Sequence, residues 1–325
     1  MFVCTDATTD ANVWTNLGSG TGDISPWQYG GTIAGYTMGG YNLPGTHGSH
    51  IHRIDFIADG NATHPASLGG EARHASAGAS SATHGYASGG GRNEPAPGPW
   101  TSEHRDKYQF GTGTNSVRTV DLPNKRSGAI GNSNDTHGFV CGGNFNAAGA
   151  SNVIEKFSFA NESDTADHGD LSTNRGQGAP SQTKTHGFCS HSVPNTAVNL
   201  IDKYSMAANV TSVDWGDLSV QRYDGCGHSS STHGYCSGGG KPTHAGVTID
   251  KFSFASGGAS SDHGDLAVGR NNTAGNNSMT HGYVSGGDSS NTDRMDKFSM
   301  ATNVTSSYIG TLTIPVAYFG GPCNY

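Results

Sequence analysis

A four-residue phrase recurs along the chain: Thr83-His84-Gly85-Tyr86, Thr136-His137-Gly138-Phe139, Thr185-His186-Gly187-Phe188, Thr232-His233-Gly234-Tyr235 and Thr280-His281-Gly282-Tyr283. Its histidines stand 53, 49, 47 and 48 residues apart. A period in this range restricts the fold to a solenoid, a propeller or a tandem array, because each unit buries its apolar face only against a neighbour.

Two further signatures keep step with the phrase. An Arg precedes by five residues a small residue expected to turn the chain: Arg73 to Gly78, Arg126 to Gly131, Arg175 to Pro180, Arg222 to Gly227 and Arg270 to Gly275. The strand opened by the His-Gly phrase then ends in a Gly pair, assigned to Gly89-Gly90, Gly142-Gly143, Gly239-Gly240 and Gly286-Gly287; His191-Ser192 takes that place in the copy over 185–231. Last comes an alternating strand such as Lys107-Tyr108-Gln109-Phe110 or Lys251-Phe252-Ser253-Phe254, whose apolar residues two apart share one face. His168 to Leu171, Trp215 to Leu218 and His263 to Leu266 follow it and lead into the next Arg.

Each unit thus holds four short strands between Gly turns, with no sustained helical period. Repeated four-stranded units of this length predict an all-β protein, a β-propeller of six blades over residues 31–325. Residues 33–40 supply an extra His-Gly strand with Ala34 in place of His, and Thr311 to Gly321 a degenerate last copy with Val316 in place of Arg. Joining the two ends in one blade removes both exposed edges. Seven blades is the alternative if residues 1–30 add strands.

Composition excludes several classes. Lys plus Arg total 18 against 26 acidic residues, a net charge of -8, so no nucleic-acid partner is expected. No apolar run approaches the roughly 20 residues that cross a bilayer, so no membrane insertion is expected. The 50 glycines fall on a fixed schedule between aromatic and β-branched residues, which argues for turns and against disorder. The six cysteines form no CxxC pair and read as small buried hydrophobes. Cys4 and Cys323 meet in a disulfide only if the ring closes beside them, and none is expected.

The order Arg-x4-Gly, then Gly-Tyr-x-x-Gly-Gly, then an aromatic strand resembles kelch repeats over residues 31–321, though the Trp usual after that strand appears only as Trp215. The wording THGYVSGG, IDKFSF and HGDL looks like the kelch-like repeats of tail-fibre and other structural proteins of marine bacteriophages, cyanophages above all. The opening stretch from Phe2 to Gly22 is similar to a segment of phage fibre proteins. The likeness implies a virion protein on the particle surface, with residues 1–30 an attachment or linker segment. It also implies a homo-oligomer among other virion proteins, with host surface polysaccharide or a receptor as partner.

His84, His137, His186, His233 and His281 share one repeat position and read as a structural ring, bonding backbone of a neighbouring blade; no metal and no cofactor are expected there. His47, His50, His52, His64 and His74 are weak metal candidates. Arg73, Arg126, Arg175, Arg222 and Arg270 read as structural too, because repetition around a ring is symmetric and an active site needs convergent groups. Five acids, Asp106, Glu155, Asp202, Asp250 and Asp296, directly precede the strand lysines.

Loops on a rigid ring carry recognition. The longest insertion, Gly91 to His104, has three prolines and presents Trp100 for stacking on a sugar or anchoring a protein contact. Arg92, Trp100 and His104, with His191 from the corresponding loop, are the candidate ligand contacts, on a face shared with loops 41–50, 144–151, 191–198, 241–247 and 288–293. No catalytic residues are assigned. A non-enzymatic phage virion module is the first expectation; a sialidase-like carbohydrate hydrolase and a cellular kelch-type interaction scaffold are the alternatives.

Overall fold

The computed structural model describes residues 2–6, 13–16, 30–42, 46–92, 100–145, 149–162, 165–191, 198–240, 246–288, 293–317 and 323–324. Strands β1 (Phe2–Asp6) and β2 (Val13–Asn16) form an antiparallel pair of their own. Most of the expected attachment segment 1–30 lies outside the described residues.

Six further sheets make the propeller. The first blade contains β3 (Ala34–Asn42), β4 (Thr46–Asp55) and β5 (Thr63–Ser67). The second is β6 (Ala77–Ser80), β7 (His84–Ser88), β8 (Arg105–Gln109) and β9 (Val117–Arg118), and the third β10 (Ile130–Ser133), β11 (His137–Cys141), β12 (Val153–Ser158) and β13 (Thr165–Asp170). The fourth is β14 (Ala179–Gln182), β15 (His186–Ser190), β16 (Val198–Ser205) and β17 (Val213–Arg222), and the fifth β18 (Cys226–Ser229), β19 (His233–Ser237), β20 (Thr248–Ser253) and β21 (Ser261–Asp265). The sixth is β22 (Ala274–Asn277), β23 (His281–Ser285), β24 (Arg294–Ser299) and β25 (Ser307–Thr311). Then β26 (Val316–Ala317) and β27 (Cys323–Asn324) return to pair with β3, so the first blade takes its innermost strand from the far end of the chain. The ring has six blades, and β1 and β2 add no seventh.

Strands β6, β10, β14, β18 and β22, with β27, line a central channel of about 130 Å³. The residues five after each Arg therefore lie within these inner strands and not in turns, as the sequence had suggested. The reason is crowding at the axis: a Cβ on Gly131 would overlap the carbonyl of Gly78, and one on Gly227 that of Pro180. The Gly pairs do turn the chain, with left-handed φ of 67° and 119° at Gly89-Gly90. In the fifth blade the pair is Gly238-Gly239 (φ 64° and 96°), one residue earlier than assigned, because Ser237 pairs with Ile249 as Ser285 pairs with Met295.

The core lies between blades. The aromatic of each His-Gly strand packs on an aromatic of the next blade: Tyr36 on Tyr108, Tyr86 on Phe157, Phe139 on Tyr204, Phe188 on Phe252 and Tyr235 on Phe298, with centroids 5.4–5.9 Å apart. Tyr283 closes the circle on Phe56 at 4.5 Å. Each pair adds about 0.5–1.5 kcal/mol beyond the area it buries.

Within each of blades two to six, the repeat Arg is buried against the acid that precedes the strand lysine: Arg73 with Asp106 (2.5 Å), Arg126 with Glu155, Arg175 with Asp202 (2.9 Å), Arg222 with Asp250 and Arg270 with Asp296 (2.5 Å). The guanidinium also donates to carbonyls at the end of the His-Gly strand, among them Gly142, Gly238 and Gly286. Removing one partner of such a buried pair costs about 3–5 kcal/mol. These arginines tie strands together and present no free charge to a ligand.

Candidate functional site

Strand direction divides the ring into two faces. One carries the turns ahead of the His-Gly phrase; the other carries the Gly pairs, the insertion and the entries to the inner strands. At those entries, two residues after each Arg, the backbone turns left-handed: Ala75 (φ 52°), Gly128 (64°), Gln177 (59°), Asp224 (55°) and Asn272 (54°). The last four amides each donate to the equivalent carbonyl of the preceding blade, Gly128 to Ala75 (2.8 Å), Gln177 to Gly128 (2.6 Å), Asp224 to Gln177 (3.3 Å) and Asn272 to Asp224 (2.8 Å). A run of peptide hydrogen bonds thus links the second to the sixth blade along the channel mouth.

The side chains on this run break the symmetry. Ala75 and Gly128 offer no polar group there, whereas three successive blades bring Gln177, Asp224 and Asn272 to the channel lining. Non-glycine residues at such φ cost on the order of 1–3 kcal/mol each. Burial first, then the Asp288 carboxylate, push the Asp224 acid up to about 7. Asn272 Nδ2 donates to Asp288 Oδ2 at 2.6 Å, which fixes its amide oxygen toward other partners. Amides and a carboxyl that titrates near neutrality form a polar arc suited to hydroxyl-bearing ligands. Sequence reasoning missed these residues, although their fixed offset from the repeat Arg was available to find them.

The insertion rises from the same face. Trp100 is 58% exposed. Its carbonyl accepts from the Arg92 amide (3.0 Å), and Glu71 gathers the base of the loop: Arg92 Nη1 at 2.8 Å, Ser102 Oγ at 3.2 Å and His104 Nδ1 at 3.4 Å. Burial, then Arg118, lowers the His104 pKa. Three of the four predicted contacts, Arg92, Trp100 and His104, are therefore brought together. Residues 93–99, and 43–45, 146–148, 192–197, 241–245 and 289–292 of the companion loops, lie outside the described residues.

His191 is not with them. It occupies the first position of the missing Gly pair at φ 49°, wholly buried, and burial holds it neutral well below its ordinary pKa. It wedges between the fourth and fifth blades instead of meeting solvent, because the strand end it occupies is covered by Gly225, just ahead of the next inner strand.

The histidines of the repeat phrase lie on the opposite face, away from the channel lining. Each Nδ1 bonds the hydroxyl of its own Thr at 2.8–2.9 Å: His84 to Thr83, His137 to Thr136, His186 to Thr185, His233 to Thr232 and His281 to Thr280. The neighbouring-blade bond expected of them is made by another residue. His168 Nε2 donates to Ser205 O (2.9 Å), Trp215 Nε1 to Ser253 O (2.8 Å) and His263 Nε2 to Ser299 O (2.9 Å).

Glu103, His104 and Asp121 place three ligand atoms within 4.8 Å of one another. Arg118 bonds both oxygens of Asp121 and Lys125 stands 3.8 Å from Glu103, so these carboxylates already have their counter-ions. Cys141, Cys189, Cys226 and Cys236 are buried and form no disulfide; Cys323 is buried at the ring closure with its thiol on Ala79 O (3.2 Å). No protein-family model matches the chain, and no curated protein aligns significantly with it.

Proposed function

We propose that this chain is a non-enzymatic binding module of a bacteriophage particle, a tail-fibre, tail-tip or decoration domain that holds host surface polysaccharide on its Gly-pair face. The phage assignment rests on the resemblance of its repeat wording. The binding assignment is carried by one observation: Trp100 stands exposed on a base clamped through Glu71, on the face where the polar arc of Gln177, Asp224 and Asn272 opens. An indole stacks on the apolar face of a sugar ring, and amides and carboxyls bond its hydroxyls. Many copies on one particle convert weak single-site binding into firm attachment.

The test is binding of the purified chain to host cells with and without glycosidase treatment, beside Trp100→Ala. Glycan-dependent binding that falls at least ~10-fold in the variant is the expected result, in the range of a lost aromatic anchor. Binding indifferent to both treatments overturns the reading. A hydrolase reading draws on Asp224, an acid protonated near neutrality beside Asp288 at a channel mouth. Release of reducing sugar by the wild type and not by Asp224→Asn decides for it.

A further inference from the structure

The first blade lacks the ion pair that the other five share. Val316 takes the place of the repeat Arg: its carbonyl accepts from the Gly287 amide as Arg270 O accepts from Gly239 and Arg175 O from Gly143. The acid's place, directly before the strand-opening cation Arg53, is taken by His52. Both charges have gone together, and a wholly buried imidazole remains.

Two more histidines surround it. His50 and His52 are two apart on β4, so they share a face, and His64 lies on the adjacent antiparallel strand β5, where a bulge between Ile51 and Arg53 sets two residues against His52. Ring centroids are 4.2 Å apart for His50 and His64, 5.7 Å for His50 and His52, and 6.3 Å for His52 and His64. A tetrahedral ion with nitrogen bonds of ~2.1 Å holds imidazole centroids about 5 Å apart, within the observed spread.

Hydroxyls anchor one nitrogen on each of two rings. His52 Nδ1 bonds Thr313 Oγ1 (3.1 Å) and His64 Nε2 bonds Ser67 Oγ (3.2 Å). His52 Nε2 and His50 Nδ1 are then left buried with no hydrogen-bond partner among the described residues. A buried nitrogen without a partner calls for an ion or water.

We propose that His50, His52 and His64 bind one divalent transition-metal ion of the zinc class, with a fourth position open to solvent beside the exposed His64. All-imidazole donors suit zinc, copper and nickel and disfavour magnesium and calcium. Thr313 orients His52 from behind, as outer-shell hydroxyls and carbonyls do for metal-bound histidines. The three nitrogens lie outside the 4.8 Å grouping that Glu103, His104 and Asp121 satisfy. The ion would be gathered by rotation of the exposed His64 ring toward the two fixed partners.

The experiment is equilibrium dialysis of the full chain against Zn2+, with the visible spectrum of the Co2+ form as a second readout. One tight ion per chain is expected, with a tetrahedral cobalt spectrum. His64→Ala, at an exposed position that the fold tolerates, should weaken it at least ~100-fold and cancel the rise in Tm that Zn2+ gives the wild type. His84→Ala and His104→Ala should leave it unchanged. No stoichiometric ion, an ion retained by His64→Ala, or one lost from His104→Ala overturns the proposal.

Discussion

Asp224 combines two costs in one residue, a left-handed backbone and a buried carboxyl pushed up to about 7. The sign of its contribution follows from proton binding. Between the usual carboxylate range and pH 7 the folded chain keeps a proton that the unfolded chain releases, so this residue's stabilisation is full at acid pH and is lost as pH rises toward 7. Asp224→Asn keeps the shape, suits the left-handed region and cannot ionise. The wild-type stability minus that of Asp224→Asn should fall with pH from about 4 to about 7, by at most ~1.4 kcal/mol per unit, and then level off; thermal melts across that range test it. A flat difference would mean that the carboxylate is solvated. In the sequence the repeat Arg and its acid were both visible as periodic residues. The positions two residues after the Arg could be located by that offset, but their left-handed backbone could not be read, because Ala75, Gly128, Gln177, Asp224 and Asn272 share a backbone conformation and no side-chain type.

The strand after the aromatic one is the element that clamps blade to blade. His168, Trp215 and His263 look unlike in sequence, yet each puts a ring N–H on the same carbonyl of the next blade, and the glycine that follows runs left-handed at φ 102°, 146° and 111°. A Cβ on Gly169 would overlap the backbone of Val210, one blade on. His168→Phe keeps the ring and removes the donor, leaving the half-buried Ser205 O without it. The expected loss is about 1–3 kcal/mol in urea unfolding. An unchanged midpoint would show that the clamp is dispensable. The motif itself was legible as a repeat signature; its chemistry was not, since the acceptor lies 36–38 residues ahead and belongs to another sheet. Run length also limits reading at this scale. Three consecutive glycines at 238–240 left two registers open, and only strand pairing chose between them.

At the scale of the whole ring, blades are joined by like contacts, and one junction depends on a chain end. Asn276 Nδ2 reaches Cys323 O (2.8 Å) and Tyr36 O (3.1 Å), and the Asn324 amide bonds Ser80 Oγ (3.0 Å), so two residues staple the sixth, first and second blades. Deleting residues 322–325 should expose the edge of β3 and replace one cooperative thermal transition with a broader, earlier one, as calorimetry would register; an unaltered melt would mean that β26 suffices. Six blades and the joining of the two ends were readable from the surplus strand at Ala34 and the deficit after Thr311. The strand that completes the first blade was not, because a two-residue pairing has no periodicity to detect. That late staple also sets an order in time. Five sheets can form one after another as the chain leaves the ribosome, while the first stays open on one side until residue 324 has been made. During synthesis the ring is therefore an unclosed arc, with β3 waiting for β27.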